Sequence, residues 1–276
     1  MPIITLTTDF GTKDHFVGAV KGSIYGELEE VRIVDITHDI TPFSITETAY
    51  ILKNAYKNFP AGTIHIVGVD SEISIENKPL AIKMDEQYFI CCDNGILSMI
   101  TNEINPDQIV EITIQEPQDI KLPILGMFIK VACHIARGGT LDVIGKRISD
   151  IKKIFEIQPQ VNAEKNQIVG SIIYIDNFGN VISNISKSTF QNIGKGRDFT
   201  IIARNYKFVK IYDKYNDIVD FSIPIEKRQD DGKKLAIFNC ANYLEISIYR
   251  SNKKTVGGAS NLLGLDYRDN ITIRFI

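Results

Sequence analysis

Apolar positions in the first half of the chain follow two periods in alternation. Short runs rich in β-branched residues, at residues 3–6, 31–36 and 63–69, predict buried strands. Residues 16–25 and 44–56 instead repeat their apolar side chains at helical spacing and predict helices. Strands that alternate with helices are typical of a mainly parallel sheet covered by helices, so we predict an α/β fold for this half.

A predicted strand pair and a further helix extend this pattern. Residues 80–84 and 88–92 predict two strands joined by a turn at Asp85 and Glu86. Residues 128–137 again show helical spacing, and two glycines then end the predicted helix. These elements belong to the same predicted sheet and its helical cover.

The second half has a different pattern, with short strands and turns after Pro159. The strands predicted there are residues 169–175, 198–203, 233–239, 243–249 and 270–276. Long stretches of helical spacing are few. We therefore predict two domains, an N-terminal α/β domain at residues 1–160 and a smaller, β-rich C-terminal domain at residues 165–276.

Composition narrows the class of protein. With 44% hydrophobic and 24% charged residues among 276, the chain is typical of a soluble globular protein with a sizeable core. The formal net charge of -3 gives no basic bias toward nucleic acid or anionic membranes. No apolar run is long enough to span a bilayer, and the N-terminus lacks a cationic start followed by an apolar core. We expect a cytoplasmic protein that binds neither nucleic acid nor membranes.

The cysteines and histidines do not predict a metal centre. The four cysteines lack zinc-site spacing, and two of them, Cys91 and Cys92, are adjacent on a predicted strand. They are typical of small core residues in a reducing compartment. None of the four histidines pairs with another at metal-ligand spacing. Neither a dinucleotide-binding nor a P-loop glycine motif occurs, so a general nucleotide enzyme has no support.

Carboxylates end several of the predicted apolar strands. Asp9, Asp70 and Asp176 each follow such a strand, and Asp93 begins the turn at residues 93–95. Ligands of open α/β sheets bind beyond the carboxyl ends of strands, so these residues favour a polar site rimmed by loops. The alternative is that each is an ordinary turn or capping residue, which is the more common role of one such aspartate.

The stretch at residues 176–180 is the most informative of these turns. A β-hairpin would explain Asn177 and Gly179, but it does not require Asp176, Phe178 and Asn180 together. A carboxylate, an aromatic ring and an amide at alternating positions can bind an ammonium, a cation or ring, and a carboxylate. That set suits the amino-acid end of a ligand, with a plain turn as the alternative.

Eight short motifs, in order along nearly the whole chain, resemble the S-adenosyl-L-methionine (SAM) hydroxide adenosyltransferases, or SAM hydrolases, whose relatives include fluorinases and chlorinases. These motifs are residues 8–11, 35–40, 69–70, 93–95, 131–134, 176–180, 243–246 and 258–264. The resemblance implies a two-domain fold and a homotrimer. SAM, the substrate, would lie between the N-terminal domain of one subunit and the C-terminal domain of its neighbour, with no further cofactor.

The resemblance also implies roles for individual residues. Asp9 would bind the ribose hydroxyls, and Asp176 and Asn180 the methionine amine and carboxylate, with Phe178 packing nearby. Asn239 and the backbone around Tyr243, Leu244 and Ala259 would line the adenine pocket. The remaining expected substrate-binding residues are Phe10, Asp93 and Asn94.

The family's hydrolases have an Asp–Arg–His triad near the attacking water, and this chain matches it in part. Asp70 matches the aspartate where the halogenating relatives have tyrosine, so halide chemistry is less expected because an anion would face a carboxylate. Asn77 stands at the arginine position; the adjacent Lys78 offers a charge but not a planar fork. Pro123 stands at the histidine position, and His134 on the following helix is expected to be a packing residue.

Two hypotheses therefore remain at the level of sequence. The first is hydrolysis of SAM to adenosine and L-methionine, by attack of water or hydroxide at ribose C5′ with Asp70 at the reaction centre and Lys78 as a tentative partner. The alternative is a catalytically weak or silent homologue that binds SAM or adenosine, which the departures at Asn77 and Pro123 favour.

Overall fold

The computed structural model describes residues 1–101, 104–114, 122–155 and 157–276, so parts of the predicted N-terminal domain lie outside the described residues. The chain divides into two compact units, Met1–Phe155 and Glu156–Ile276. Each unit contains a β-sheet and a hydrophobic core of its own.

The described residues of the first unit form one seven-stranded sheet in the order β2-β1-β3-β5-β4-β6-β7. Its strands are β1 (Ile3–Thr8), β2 (Arg32–Thr37), β3 (Ile64–Gly68), β4 (Pro79–Met84), β5 (Gln87–Cys92), β6 (Gln108–Ile112) and β7 (Gly145–Arg147). Strands β2, β1, β3 and β5 are parallel, which confirms the predicted parallel sheet. The pairs β5–β4, β4–β6 and β6–β7 are antiparallel.

The tight turn between β4 and β5 explains where strand pairing in the sheet changes from parallel to antiparallel. Asp85 and Glu86 form this predicted turn and both have positive φ, 52° and 58°. Two consecutive left-handed residues form a type I′ turn, which joins neighbouring antiparallel strands directly. The sheet is therefore parallel only as far as β5.

Helices cover both faces of this sheet. They are α1 (Phe16–Glu27), α2 (Ile45–Tyr56), α3 (Ile96–Thr101) and α4 (Met127–Ala136), with 3-10 helices at Pro123–Leu125 and Leu141–Val143. Side chains alternate between the faces along β5. Ile90 and Cys92 pack in the cluster that contains α1 and α4 residues, whereas Phe89 and Cys91 pack in the cluster with α2 and α3 residues. The alternation of strands and helices in the sequence thus becomes a three-layer unit.

A row of buried polar side chains, connected by hydrogen bonds, runs through this core at His65. The ring is fully buried; its Nε2 lies 2.6 Å from Gln87 Oε1 and its Nδ1 lies 2.7 Å from Thr5 Oγ1. The Gln87 amide nitrogen donates to two backbone carbonyls, so Oε1 accepts from His65 and the ring is neutral with its proton on Nε2. Burial lowers the pKa of His65 to about 4.

The second unit is β-rich, as predicted. Its strands are β8 (Gln160–Val161), β9 (Gln167–Ile175), β10 (Val181–Ser186), β11 (Phe199–Ala203), β12 (Tyr206–Phe208), β13 (Ile211–Tyr212), β14 (Lys234–Phe238), β15 (Tyr243–Ile248) and β16 (Asn270–Phe275). They pair in the order β12-β11-β16-β9-β10-β15-β14-β13, and β8 pairs with β9. The pairs are antiparallel except β13–β14.

Short helices complete the second unit. They are α5 (Lys187–Gly194) and α6 (Ala259–Leu263), with 3-10 helices at Tyr215–Ile218 and Ile225–Lys227. Helix α5 was not predicted. Ser186 caps it by accepting a hydrogen bond from the Thr189 N–H at 3.0 Å, and Lys195 ends it in a left-handed conformation.

Candidate functional site

The carboxyl ends of the parallel strands lie side by side at one end of the first unit's sheet. This row of strand ends is called the edge below, and it is distinct from the outermost strands. Because β2, β1, β3 and β5 are neighbours with the same direction, the residues that follow them meet at this edge. His38 follows β2, Asp9 follows β1, Asp70 lies beyond β3, and Asp93 follows β5. The fold therefore brings three of the predicted carboxylates to one edge.

Asp9 is oriented by a loop distant in sequence. Its Oδ2 accepts a hydrogen bond from the backbone N–H of Phe43 at 2.9 Å. Phe43 has φ 63° and its side chain is 72% exposed. Left-handed backbone is uncommon for a bulky residue and occurs preferentially at functional sites. No local sequence signal links Phe43 to Asp9, so Phe43 was not among the predicted site residues. The side chain of Phe10, by contrast, packs partly against the core.

His38 connects the loops on either side of Asp9. Its carbonyl accepts from the Gly11 N–H at 2.7 Å, and its buried ring lies 2.7 Å from Thr8 Oγ1 through Nδ1. The other ring nitrogen lies 3.1 Å from Asp35, which also pairs with Lys21 at 2.6 Å. Burial by itself would raise the pKa of Asp35, but hydrogen bonds from Lys21 and His38 outweigh it and lower that pKa. This network stabilises the backbone around Asp9.

Asp70 combines an unusual backbone with an unpartnered carboxylate. Its φ is 45°, in the left-handed region. Its carbonyl oxygen accepts from the amide nitrogens of Asn77 at 3.0 Å and Asn94 at 3.1 Å. Within the ranges that the structure describes, the carboxylate has neither a hydrogen bond nor an ion pair. It is therefore available to a ligand at the edge where the parallel strands end.

The expected cationic partners of Asp70 are engaged elsewhere or absent. Lys78 donates to Glu111 Oε2 at 2.9 Å. Pro123 is buried at the start of a 3-10 helix. His134 lies 3.1 Å from the carbonyl oxygen of Thr140 through Nε2, as expected for a packing histidine. Among the residues that the structure describes, no positive side chain therefore pairs with the Asp70 carboxylate.

Asp93 and Asn94 have partners within the same unit. Asp93 Oδ1 accepts from the Lys152 N–H at 2.8 Å. The Asn94 amide nitrogen donates to the carbonyls of Val69 and Asp70, and its Oδ1 accepts from the Ile96 N–H at the start of α3. Both side chains organise the strand-end loops, so substrate contact by either one stays a prediction.

In the second unit, the turn at residues 176–180 is closed by its own side chains. Asp176 Oδ1 accepts from the N–H groups of Phe178 at 2.9 Å and Asn180 at 2.8 Å. Its Oδ2 accepts from the Asn180 side-chain amide at 2.9 Å. The Phe178 side chain is 61% exposed, whereas Asn180 is buried. The turn thus presents a rigid carboxylate beside an exposed aromatic ring.

Backbone packing places Ala259 beside this turn. The Ser260 N–H donates to the Gly179 carbonyl at 2.9 Å, and a Cβ at Gly258 would overlap the Phe178 carbonyl oxygen. The side chains of Ala259 and Leu244 are fully buried in the core of the unit. Any contact of these two residues with a ligand therefore runs through the backbone.

Glu245 is a site candidate that the sequence analysis did not single out. Its side chain is buried and accepts hydrogen bonds from the Tyr215 hydroxyl at 2.8 Å and from the Ser247 hydroxyl. Burial raises the pKa of Glu245, and the nearby Asp176 charge adds to the rise, against hydrogen bonds from Ser247, Tyr215 and Asn239. The available signal was alternation along β15, which puts Glu245 and Ser247 on the opposite face from the apolar core residues.

Glu245 connects the turn at residues 176–180 with the hairpin at residues 239–243. Asn239 interacts with Glu245, and its Oδ1 accepts from the N–H groups of Ala241 at 3.0 Å and Tyr243 at 3.1 Å. Two predicted substrate-binding residues of this half, Asn239 and Tyr243, are thus linked through Asn239 to Glu245. The first unit likewise gathers its own predicted residues at one sheet edge.

No group of three or more His, Cys, Asp or Glu side chains in the described part of the chain is arranged to bind a metal ion. No helix there combines the length and apolarity needed to cross a membrane.

Comparison with protein families gave two matches that together span most of the chain. The SAM hydroxide adenosyltransferase N-terminal domain matches residues 4–145, and the C-terminal domain of the same family matches residues 170–272. The match to the first domain includes Asp9, Asp70 and Asp93, and the match to the second includes Asp176 and Glu245.

Individual proteins are similar over nearly the full length. An (R)-S-adenosyl-L-methionine hydrolase of Methanocaldococcus jannaschii is 30% identical, covering 99% of this chain and 96% of the relative. A fluorinase of Actinopolyspora mzabensis is 21% identical over 89% of this chain and 90% of its own. The crystal structure of an uncharacterized conserved protein from Thermotoga maritima matches with a TM-score of 0.81 at 26% identity, over 99% of this chain and 100% of that one.

Proposed function

The chain belongs to the SAM hydroxide adenosyltransferase family, and on that premise we propose that it hydrolyses SAM to adenosine and L-methionine. The observation that carries the proposal is the carboxylate of Asp70, which has no partner among the described residues and lies at the edge where the parallel strands end. The full-length similarity to a protein named as a SAM hydrolase supports the same substrate and reaction.

The proposed reaction needs SAM and water alone. The oxygen of water attacks ribose C5′ opposite sulfur, and the C5′–S bond breaks with its electron pair moving to sulfur. The sulfonium becomes the neutral thioether of methionine, adenosine forms, and one proton leaves. Since the sulfonium already activates C5′, the protein mainly has to align the nucleophile and exclude other water.

Most of the predicted residues have a specific role in this scheme. Asp70 orients the attacking water and accepts its proton, and Asp9 binds the ribose hydroxyls. Asp176, Phe178 and Asn180 bind the amino-acid end. Residues 239–244 and the Ala259 backbone bind adenine. A halide nucleophile is disfavoured because it would approach the Asp70 carboxylate.

The decisive experiment is incubation of the purified protein with SAM, with adenosine and methionine followed by chromatography. We expect adenosine from the wild type and a large loss in Asp70→Asn, in which the side chain keeps its size and its tolerance of left-handed backbone. The proposed hydrolysis would be overturned if the wild type binds SAM tightly in calorimetry but forms no more adenosine than Asp70→Asn does.

That contrary result would favour the second candidate, a SAM-binding or adenosine-binding protein without turnover. The observation behind it is that Asp70 has no cationic partner among the described residues, because Lys78 pairs with Glu111. Asn77 cannot supply a positive charge. A loss of activity in Lys78→Met would instead support Lys78 as the substitute partner.

We also propose a homotrimer whose sites combine the Asp9 side of one subunit with the Asp176 side of its neighbour. Light scattering of the purified protein tests the trimer. Mixing the Asp9→Ala and Asp176→Ala variants, after dissociation and reassembly, tests the shared site. Recovered activity would support it, because some sites would then receive both wild-type residues.

A cytoplasmic location is the remaining part of the proposal. All four cysteines lie within the described ranges and are free thiols, three of them buried. Unpaired thiols are typical of reducing compartments. Fractionation of the source cells with an antibody against the chain tests the location.

A further inference from the structure

The loop that follows Asp70 is organised around one side chain, Asn77. The amide nitrogen of Asn77 donates to the Asp70 carbonyl at 3.0 Å and to the Glu72 carbonyl at 2.8 Å. Its backbone also exchanges two hydrogen bonds with Ser74, whose hydroxyl accepts from the Asn77 N–H at 3.1 Å. Asn77 thus closes the loop from Asp70 to Lys78.

The orientation of the Asn77 carboxamide follows from its partners. Both partners are carbonyl oxygens, so only the NH₂ end can face them. The opposite atom, Oδ1, is buried and has no hydrogen-bond partner among the residues that the structure describes. In Asn77→Asp, a carboxylate oxygen would replace the NH₂ group that faces the two carbonyl oxygens. The attractive contact would then become repulsive.

Asp70 needs such support because its backbone is in a sparsely populated conformation. A non-glycine residue at φ 45° persists when surrounding contacts over-determine it. The carbonyl of Asp70 accepts two amides, Asn94 from the turn after β5 and Asn77 from its own loop. Asn94 also donates to Val69, on the strand side of Asp70, whereas Asn77 connects the Asp70 carbonyl to the loop at residues 71–78.

We propose that Asn77 is a positioning residue for the proposed hydrolysis: its carboxamide fixes the left-handed peptide of Asp70 and thereby the direction of the Asp70 carboxylate. The inference rests on the proposed function, because it assigns Asn77 a role in that same reaction. Asn77 itself touches no reacting atom in this scheme. It acts through Asp70, and small displacements of a reacting group can reduce a rate by about 100-fold.

The test is a double-mutant cycle on the full-length protein, with kcat and KM for SAM measured by adenosine release. Asn77→Ala and Asn77→Asp are expected to lower kcat by about 10- to 100-fold and to change KM by less than about twofold. In the Asp70→Asn background, Asn77→Ala is expected to have almost no further effect, because the carboxylate it positions is already gone.

A matched control is Asn162→Ala. Asn162 also organises a short loop, by accepting from the N–H groups of Asn166 and Gln167 at 3.0 Å and 2.9 Å, but it lies in the second unit between β8 and β9. Its kcat should stay within about twofold of wild type, at a similar loss of thermal stability. Circular dichroism identifies unfolded variants, and Asn77→Ser replaces Asn77→Asp if the latter does not fold.

Three results would overturn the inference. Wild-type kcat in folded Asn77→Ala, or a full additional loss in the Asp70→Asn background, would show that Asn77 acts only on the loop and not through Asp70. A wild-type protein that binds SAM but releases no adenosine would overturn the proposed function, and the inference with it. The first two results leave the hydrolase intact, so the two failures are distinguishable.

Discussion

Asp70 and Asp176 both follow strand ends, but the two units stabilise them in opposite ways. The backbone of Asp70 is bound by side chains seven and 24 positions away, and its carboxylate is left without a partner in the described structure. Asp176 lies in an ordinary turn, and its carboxylate accepts three hydrogen bonds from residues no more than four positions away in the sequence. The first arrangement suits a group that must react; the second suits a group that must present a fixed charge.

The largest expected effect separates these two roles directly. Asp70→Asn should lower kcat by about 100- to 10,000-fold, the usual range for loss of a group that transfers a proton. The KM for SAM should change little, because in the proposed reaction Asp70 contacts the nucleophile and not the bound substrate. Steady-state kinetics on Asp70→Asn and Asp176→Asn measure the separate effects on kcat and KM. A rise in KM alone for Asp70→Asn would contradict its assignment to the reaction centre.

The two units should also respond to pH in opposite directions. The His65 ring is buried in its neutral form with a pKa of about 4, against about 6.5 when unfolded. The unfolded chain binds the proton first, so the first unit loses stability as pH falls from about 6.5 to about 4. The total loss from this group is about 3 kcal/mol.

Glu245 has the reverse sign in the second unit. Its folded pKa is raised, so its contribution is complete at low pH and is lost as pH rises above the unfolded value. Denaturant unfolding as a function of pH measures both effects. His65→Gln should flatten the acid-side loss, and Glu245→Gln should flatten the opposing trend; a pH dependence that either substitution leaves unchanged would contradict the assignment of that residue.

A smaller effect on stability is expected where the second unit's turn packs most closely. Gly258→Ala should reduce the free energy of unfolding by about 1–3 kcal/mol, because the added methyl group would overlap the backbone at Phe178 and Gly179. Gly18→Ala is the matched control, since a Cβ there meets nothing within 4 Å on helix α1. The control should be neutral or slightly stabilising. Equal effects in calorimetry would show that the close approach is unimportant.

The smallest expected effect concerns substrate affinity. Asp176→Asn keeps the Oδ1 that accepts hydrogen bonds from the backbone N–H groups of Phe178 and Asn180. It loses the negative charge and the hydrogen bond from the Asn180 side-chain amide. We expect the KM for SAM to rise about tenfold with kcat nearly unchanged, a difference of about 1.4 kcal/mol in binding. A fall in kcat without a change in KM would place Asp176 at the reaction centre instead.

Local patterns predicted most of the elements because each period is set by neighbours in sequence. The predicted helix at residues 44–56 begins at Ile45 and ends at Tyr56, and the turn at Asp85 and Glu86 lies between the predicted strands. Helix α5 was missed because only Phe190 and Ile193 among its eight residues are large and apolar. The pairings of β4 with β6 and of β6 with β7 were not predicted, since strand order depends on long-range pairing.

The candidate site was predictable to the extent that its residues lie at ends of strands. Asp9, Asp70 and Asp93 could be placed at one sheet edge because parallel strands share a direction. The contact of Phe43 with Asp9 spans 34 positions and has no local signal. Glu245 alternates with apolar residues as a solvent-facing side chain would, yet it is buried and bonded to Tyr215, 30 positions earlier.

The amino-acid sequence by itself determined the two kinds of sheet, the strand-end carboxylates and the resemblance to a family, because periodicity and motifs are properties of adjacent residues. Only the tertiary structure decided which side chains converge on the residues at these strand ends. Asn77 and Asn94 meet at the Asp70 carbonyl because a loop and a neighbouring strand end there together. The energy of a buried polar group depends on the partners that the fold supplies, and those partners come from segments far apart in the chain.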